Sequence, residues 1–228
     1  MPHHINAGEL ASDLMDWAPL FPLLSALGYS RAPGEAAGKI RELCDEGLSR
    51  LSFALVTAQV PVLSLTDDAI HARGLTIASP NWTEAARRME GHRELHCFLA
   101  TLGSGLDQLI EERSETSLFD GYVLDCLGSL LAEKAADLLE ARLRSRLAGE
   151  GRMLSRRFSP GYCDWELGLG QQALLLVLGP KKIGVAPLPS GAMQPAKTVS
   201  GVIISAEKIP LASPCRLCKN ASCRHRRA

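Results

Sequence analysis

Aromatic residues are scarce in this chain, at 5% of 228 positions. Its core must therefore be built from Leu, Ala, Val and Ile. Neither sign of charge is in surplus, since 25 basic residues face 25 acidic ones. A protein without net charge has no global field to draw in nucleic acid or an anionic membrane surface. The closing Arg-His-Arg-Arg is too short a basic patch to change that, so neither partner is expected. No apolar run approaches the roughly 18 residues that cross a bilayer. Met1-Pro2-His3-His4-Ile5-Asn6 has no basic segment followed by an apolar one, the pattern of a secretory signal. Seven cysteines, three of them crowded at one end, do not suit a secreted disulfide scaffold in a chain this long. A reducing cytoplasm is the expected location.

What is present is one large domain's worth of sequence with an ordinary hydrophobic content of 46%. Residues 7–30 predict helical segments with a break. Pro19 stands near the start of the second and Gly28 at its end, the expected asymmetry. Ala37, Ile40, Leu43, Cys44 and Leu48 recur at helical spacing over 34–50. Short branched runs at 51–56, 60–65 and 74–77 read as strands, with Pro61 marking an edge or a bulge. His92 and His96 stand four apart, the spacing of one helical turn, where two imidazoles could share a metal; surface or cap histidines are the plainer reading. Cys97 to Leu102 reads as a buried strand ending at Gly103. Residues 117–147 carry the clearest helical stripe, from Val123 to Leu143, opened by Ser117 and Asp120 in the manner of a capping box. Its acids Asp125, Glu133 and Asp137 are solvated by default. A short apolar helix over 169–178 stops at Gly179-Pro180. Ile183–Ala186 and Thr198–Ser205 read as two strands that could pair across the Pro-rich loop between them.

Two stretches carry chemistry. Arg157-Phe158-Ser159-Pro160-Gly161-Tyr162-Cys163-Asp164-Trp165 places a permanent cation with a planar donor fork beside a Pro-Gly turn and an aromatic ring. Pro fixes φ and Gly opens the left-handed region, so the backbone can come close to a small anionic or zwitterionic ligand. An ordinary surface turn would have the same composition. In the tail, Cys215, Cys218 and Cys223 bring three thiols within nine residues, among Arg216, Lys219 and Arg224, which favour thiolates. They could converge on zinc or an iron–sulfur cluster, with Cys163 or His225 as the fourth ligand. The alternative is a redox-sensitive tail that holds nothing.

Arg157 to Tyr162 resembles the Arg-x-x-Pro-Gly-Tyr signature of the activation (reactivation) domain of cobalamin-dependent methionine synthase. Ala192-Met193-Gln194-Pro195-Ala196-Lys197-Thr198-Val199-Ser200-Gly201 is similar to the same family's Ala-Met-x-Pro-x-x-Ser/Thr-Val-Ser-Gly stretch. Leu131 to Asp137 is similar to its preceding helix, and Asp16-Trp17-Ala18-Pro19-Leu20-Phe21 to its Asp-Trp-x-Pro-x-Phe start. The order is the family's. The resemblance implies an α+β fold, a twisted antiparallel sheet flanked by helices, over 1–206; the cysteine-rich basic tail at 207–228 is a separate segment. It implies S-adenosylmethionine as ligand, with Arg157 on its carboxylate and Asp16 on its ammonium. Glu133 would be a further acid near the ligand. Ser159, Gly161 and Tyr162 would lie along its adenosine side. The implied role is support of the reductive remethylation of cobalamin, as a component of a methionine synthase system rather than a complete enzyme. Cobalamin would arrive on a partner, since no Asp-x-His-x-x-Gly for lower-ligand replacement is found; a methionine synthase or another corrinoid protein and an electron donor are the implied partners. Two features depart from the family: a ligand-side tyrosine of the strand after Val-Ser-Gly falls on Ile203, and the thiol tail is not part of the pattern. Two other readings stay open: a corrinoid-protein assembly factor without S-adenosylmethionine activity, and a metal or iron–sulfur redox protein acting through the tail.

Overall fold

The computed structural model describes residues 7–17, 19–28, 34–91, 93–218 and 222–223. The chain opens with α1 (Ala7–Asp16), α2 (Leu20–Ala26) and α3 (Gly34–Ser49). Pro19 sits at the N-cap of α2, and Gly28 takes a φ of 78° just after it, as the sequence predicts. There follow β1 (Ala54–Leu65), β2 (Ala69–Ala72), β3 (Leu75–Ala78), α4 (Pro80–Arg87), β4 (Glu94–Thr101), α5 (Gly105–Thr116) and α6 (Leu118–Ala148). β5 (Met153–Leu154), α7 (Leu167–Leu178), β6 (Ala186–Pro187), β7 (Met193–Gln194) and β8 (Thr198–Ala206) complete the fold. None of the described helices is long and apolar enough to cross a membrane.

The sheet is antiparallel, in the order β3-β2-β1-β4-β8-β5, and curls into a half-barrel. β4 and β8 are adjacent interior strands and are buried along nearly their whole length. One face packs on α4 and α7 through Trp82, Phe158, Trp165, Leu174 and Leu178. On the other, Phe98 and Ile203 meet Leu139 and Leu143 of α6 and Leu10 of α1. A third cluster, with Ile40, Leu43, Leu106 and Leu127, joins α3, α5 and α6. The α+β architecture expected from the sequence is the one observed, with helices on both sides of the sheet.

Several elements differ from the sequence expectation, each for a physical reason. The runs at 51–56 and 60–65 belong to one strand, because Thr57, Ala58 and Gln59 between them pair with Phe98, Cys97 and His96. Pro61 closes the ladder to β4 opposite Glu94, and a register shift follows between Val62 and Ser64. This is the expected bulge. The expected pairing of 183–186 with 198–205 does not form. Pro180–Ile183 is a 3-10 turn, Ala186–Pro187 pairs with Met193–Gln194, and β8 pairs with β4 and β5. The 3-10 turn at Pro180–Ile183 and the left-handed Gly184 at φ 69° take this segment out of the extended backbone that a ladder needs.

His96 is also corrected. It lies on strand β4, buried, with Nε2 2.8 Å from the Ser205 hydroxyl, so helical spacing to a second histidine does not apply. His92 lies outside the described residues. The helix opening at Ser117 is half of the expected box. The Ser117 hydroxyl accepts from Asp120 N at 3.3 Å, but Ser117 N donates back to Arg113 O instead of to the Asp120 carboxylate. Two helices went unread. α4 has its cue in Ser79-Pro80, where the Ser79 hydroxyl accepts from Trp82 N and Pro80 stands in the first turn. α5 is amphipathic over only three turns.

Candidate functional site

The segment after α6 runs antiparallel beside β8. Ser155 N donates to Ile204 O, and Phe158 and Val202 exchange backbone hydrogen bonds at 2.9 and 2.8 Å. The chain then crosses over β8 at Gly201. A Cβ there would stand 2.9 Å from Ser159 Oγ and 3.0 Å from Phe158 O and Phe98. The glycine of Val-Ser-Gly is thus required by the backbone of the Arg157 segment lying on top of it. Ser159 Oγ donates to Ser200 O at 2.6 Å and fastens the crossing.

Beyond the crossing the Pro-Gly turn is closed by its own backbone. Gly161, at φ 89°, donates from N to Trp165 O, and Trp165 N donates to Tyr162 O. An aromatic stack anchors the turn to the core. Phe158 lies nearly parallel to Trp165 at 5.3 Å and edge-on to Trp82 at 4.8 Å. Asp164 accepts from the Ser79 hydroxyl and from Asn81 N, tying the same turn to the start of α4.

Arg157 is held by one face of α6. Its Nη2 is 2.6 Å from Glu133 Oε2, its Nη1 donates to Asp137, and Glu140 lies 3.6 Å away. Positions 133, 137 and 140 follow the i, i+4, i+7 rule, so the three acids share a face. The Arg157 side chain is 6% exposed, while Glu133 and Asp137 are 53% and 60% exposed. Burial alone would lower the guanidinium's pKa, but the Asp137 and Glu133 carboxylates outweigh it and raise it. The cation is permanent.

Around Arg157 opens a cavity of about 510 Å³, within the usual size of a small-molecule site. Of the residues the sequence singled out, Glu133, Arg157, Ser159 and Tyr162 line it together. So do Met193, Lys197, Val199 and Ser200 of the second stretch. Gly161 shapes the turn from behind. Asp16 is exposed at the end of α1 and does not line the cavity. Its neighbour Trp17 docks on α6 under the Lys134 ammonium, 5.5 Å from the ring centre. Ile203 is fully buried between β8 and α6, among Leu10, Phe98 and Leu139, and does not line the cavity.

Sequence reasoning missed Gln171 and the role of Lys197. Gln171 is buried at the cavity wall, where its amide accepts from the Ser200 hydroxyl at 3.0 Å and donates to Met193 Sδ at 3.3 Å. Its signal was a polar pair, Gln171-Gln172, inside an otherwise apolar helix. Lys197 Nζ reaches Asp125 at 2.7 Å and the Ser129 hydroxyl at 3.1 Å. Gly128 leaves it room, since a Cβ there would meet Lys197 Cε at 2.8 Å.

All seven cysteines are free thiols. Cys44 and Cys97 are buried, and burial pushes their thiols up to about 11 and about 12, as befits inert core residues. Cys163, Cys215, Cys218 and Cys223 all line the cavity. Among the described residues no group of three or more His, Cys, Asp or Glu side chains is gathered tightly enough to hold a metal ion as it stands. His225 lies outside the described residues.

A curled antiparallel half-barrel, backed by one long helix and crossed by an Arg-x-x-Pro-Gly-Tyr turn over a small-molecule cavity, defines a fold class, that of the methionine synthase reactivation domain. The crystal structure of the MetH reactivation domain bound to AdoHcy matches this chain with a TM-score of 0.63, over 91% of this chain and 78% of that one, at 17% sequence identity. The likeness is one of fold. No family model matches the sequence, and none of the curated proteins does.

Proposed function

We propose that this protein binds S-adenosylmethionine in the Arg157 cavity and supports the reductive remethylation of a corrinoid cofactor carried by a partner protein. The observation that carries this reading is that two stretches some thirty residues apart, 157–162 and 192–200, line one cavity with the Arg157–Glu133 pair in its wall. The structural neighbour of the same fold was crystallised with AdoHcy, the demethylated form of the proposed ligand.

The ligand carries a carboxylate, an ammonium and a sulfonium. A guanidinium has five donors, so Arg157 can keep its acids and still donate to a carboxylate. A carboxylate accepts from several donors, so Glu133 can serve the ammonium beside it. Asp16 stands outside the cavity lining, and its expected part passes to Glu133. Tyr162, Met193 and Val199 offer apolar surface to the adenosine and methylene portions. The bound sulfonium supplies a methyl group to the reduced cobalt of the partner's corrinoid. This chain's own part is to hold and orient the donor, which needs no nucleophile or base on the protein. A reducing compartment such as the cytoplasm suits seven free thiols.

Isothermal titration calorimetry of the full chain with S-adenosylmethionine tests the proposal. Saturable binding is expected. Arg157→Ala should weaken it by about 1.5–3 kcal/mol, roughly ten- to a hundredfold. Tyr162→Ala, at an exposed position, should weaken it without touching the fold. The absence of heat at millimolar ligand would overturn the reading.

A further inference from the structure

We propose that Cys163, Cys215, Cys218 and Cys223 form a four-thiolate metal site in the wall of the ligand cavity. It would take a thiophilic centre, an iron–sulfur cluster or zinc. The inference goes beyond ligand binding and does not depend on it.

The chain divides its thiols into two kinds. Cys44 and Cys97 are buried in apolar cores, and Cys126 packs with the helical cluster. The other four line one cavity, although one belongs to the Pro-Gly turn and three to the tail. Cys163 and Cys218 both line the cavity, so the Pro-Gly turn and the tail face each other across it. The sequence left the fourth ligand open between Cys163 and His225. The tertiary structure brings Cys163 to the tail.

Cys163 is also where the backbone is least comfortable. Among the described residues it is the one non-glycine residue with positive φ, at 56°. The bonds that close its turn are backbone bonds of Gly161, Tyr162 and Trp165, and none requires a thiol. A side chain kept in the left-handed region is held there by its surroundings, and such positions gather at functional sites. Asn81 Nδ2 donates to Cys163 Sγ at 3.4 Å, the kind of amide contact that tunes a metal-bound sulfur.

The tail is anchored where it needs to be. Arg156 N donates to Ala212 O at 2.8 Å, Leu211 is buried in the sheet core, and Leu217 packs against it. The 3-10 turn Pro214–Arg216 is bonded through Cys215 N to Ser213 Oγ. Cys-x-x-Cys thus leaves a turn fixed beside the Cys163 loop. Three of the four thiols need not touch before a metal binds. A tetrahedral zinc would draw four sulfurs to about 2.3 Å from one ion. A cluster accepts them farther apart, because each thiolate binds a different iron.

The test uses the full chain purified without oxygen. One portion is reconstituted with ferrous iron and sulfide, another with zinc alone. Iron, zinc and acid-labile sulfide are then measured. Near-stoichiometric metal is expected. Iron with sulfide identifies a cluster, zinc without sulfide an ion, and either supports the site. Cys163→Ser and Cys218→Ser should lose most of the metal with unchanged far-ultraviolet circular dichroism, whereas Cys126→Ser should keep it. Background metal in every preparation overturns the proposal, as does full metal content in a folded Cys163→Ser variant. S-adenosylmethionine titration of the same samples separates the two readings. Metal without ligand binding would sink only the proposed function, and ligand binding without metal would sink only the site.

Discussion

Arg157 must stay charged while nearly buried, and three acids of α6 keep it so. A lysine in its place is one point charge and cannot fork to Glu133 and Asp137 together. Arg157→Lys should therefore bind S-adenosylmethionine more weakly than the native chain in calorimetry, by tenfold or more, although the charge is conserved. Gly201 shows the same dependence on a single atom. Its missing Cβ leaves the space through which Phe158 and Ser159 cross β8. Gly201→Ala should cost about 1–3 kcal/mol, read from the denaturant midpoint, because two of the three nearest atoms belong to packed segments that cannot yield freely. A midpoint unchanged by this substitution would mean that the crossing is looser than described.

α7 is the element that carries Gln171 to the cavity, and its start is held by Glu166. The carboxylate accepts from Leu169 N at 2.6 Å and Gly168 N at 2.7 Å, and these bonds hold its pKa below the usual carboxylate range. A lowered folded value means the cap is present above the ordinary carboxylate pKa of about 4 and is lost as pH falls through the lowered one. The protection factors of the Gly168 and Leu169 amides should fall over that acid window. In Glu166→Gln they should be low at every pH. Equal exchange in both proteins at neutral pH would show that the helix start does not rely on this cap. α6 has a comparable double task. Its apolar face packs on α1, α3 and the sheet, while Glu133, Asp137 and Glu140 hold the arginine that faces the cavity.

At the scale of the whole molecule, the cavity is assembled from α6, the 157–167 segment, α7 and the 191–200 stretch, with the tail as a further wall. An unfolded chain has no such site, so ligand should stabilise the fold by mass action. S-adenosylmethionine at a hundred times its dissociation constant should add about 2.7 kcal/mol, seen as a rise in melting temperature that grows with ligand concentration. A melting temperature indifferent to ligand would place any binding outside the folded cavity.

Much of this was legible in the sequence. The helices at 34–49 and 118–148 follow from apolar periodicity, a local property that packing then ratifies. The buried strands β4 and β8 follow from continuous apolar runs. Glycine and proline marked the Arg157 stretch as a turn, and the family resemblance, not local chemistry, joined it to the Val-Ser-Gly stretch. Other features could not be read, since they depend on residues distant in the chain. β2 has no apolar run of its own and exists by pairing with β1 and β3. β8 pairs with β4, about a hundred residues earlier in the chain, and not with the nearby 183–186 segment, which is bent by a 3-10 turn. Gln171 has its partner only because β8 sets the Ser200 hydroxyl beside it. Sequence alone determined the fold class, the signature turn and the cysteine-rich tail. Only the tertiary structure decided that Asp16 lies off the cavity, that Ile203 is buried under α6 away from the cavity lining, and that Cys163 shares the cavity with the tail thiols. Those outcomes are set by where long-range packing directs a side chain, and local chemistry along the chain cannot choose among them.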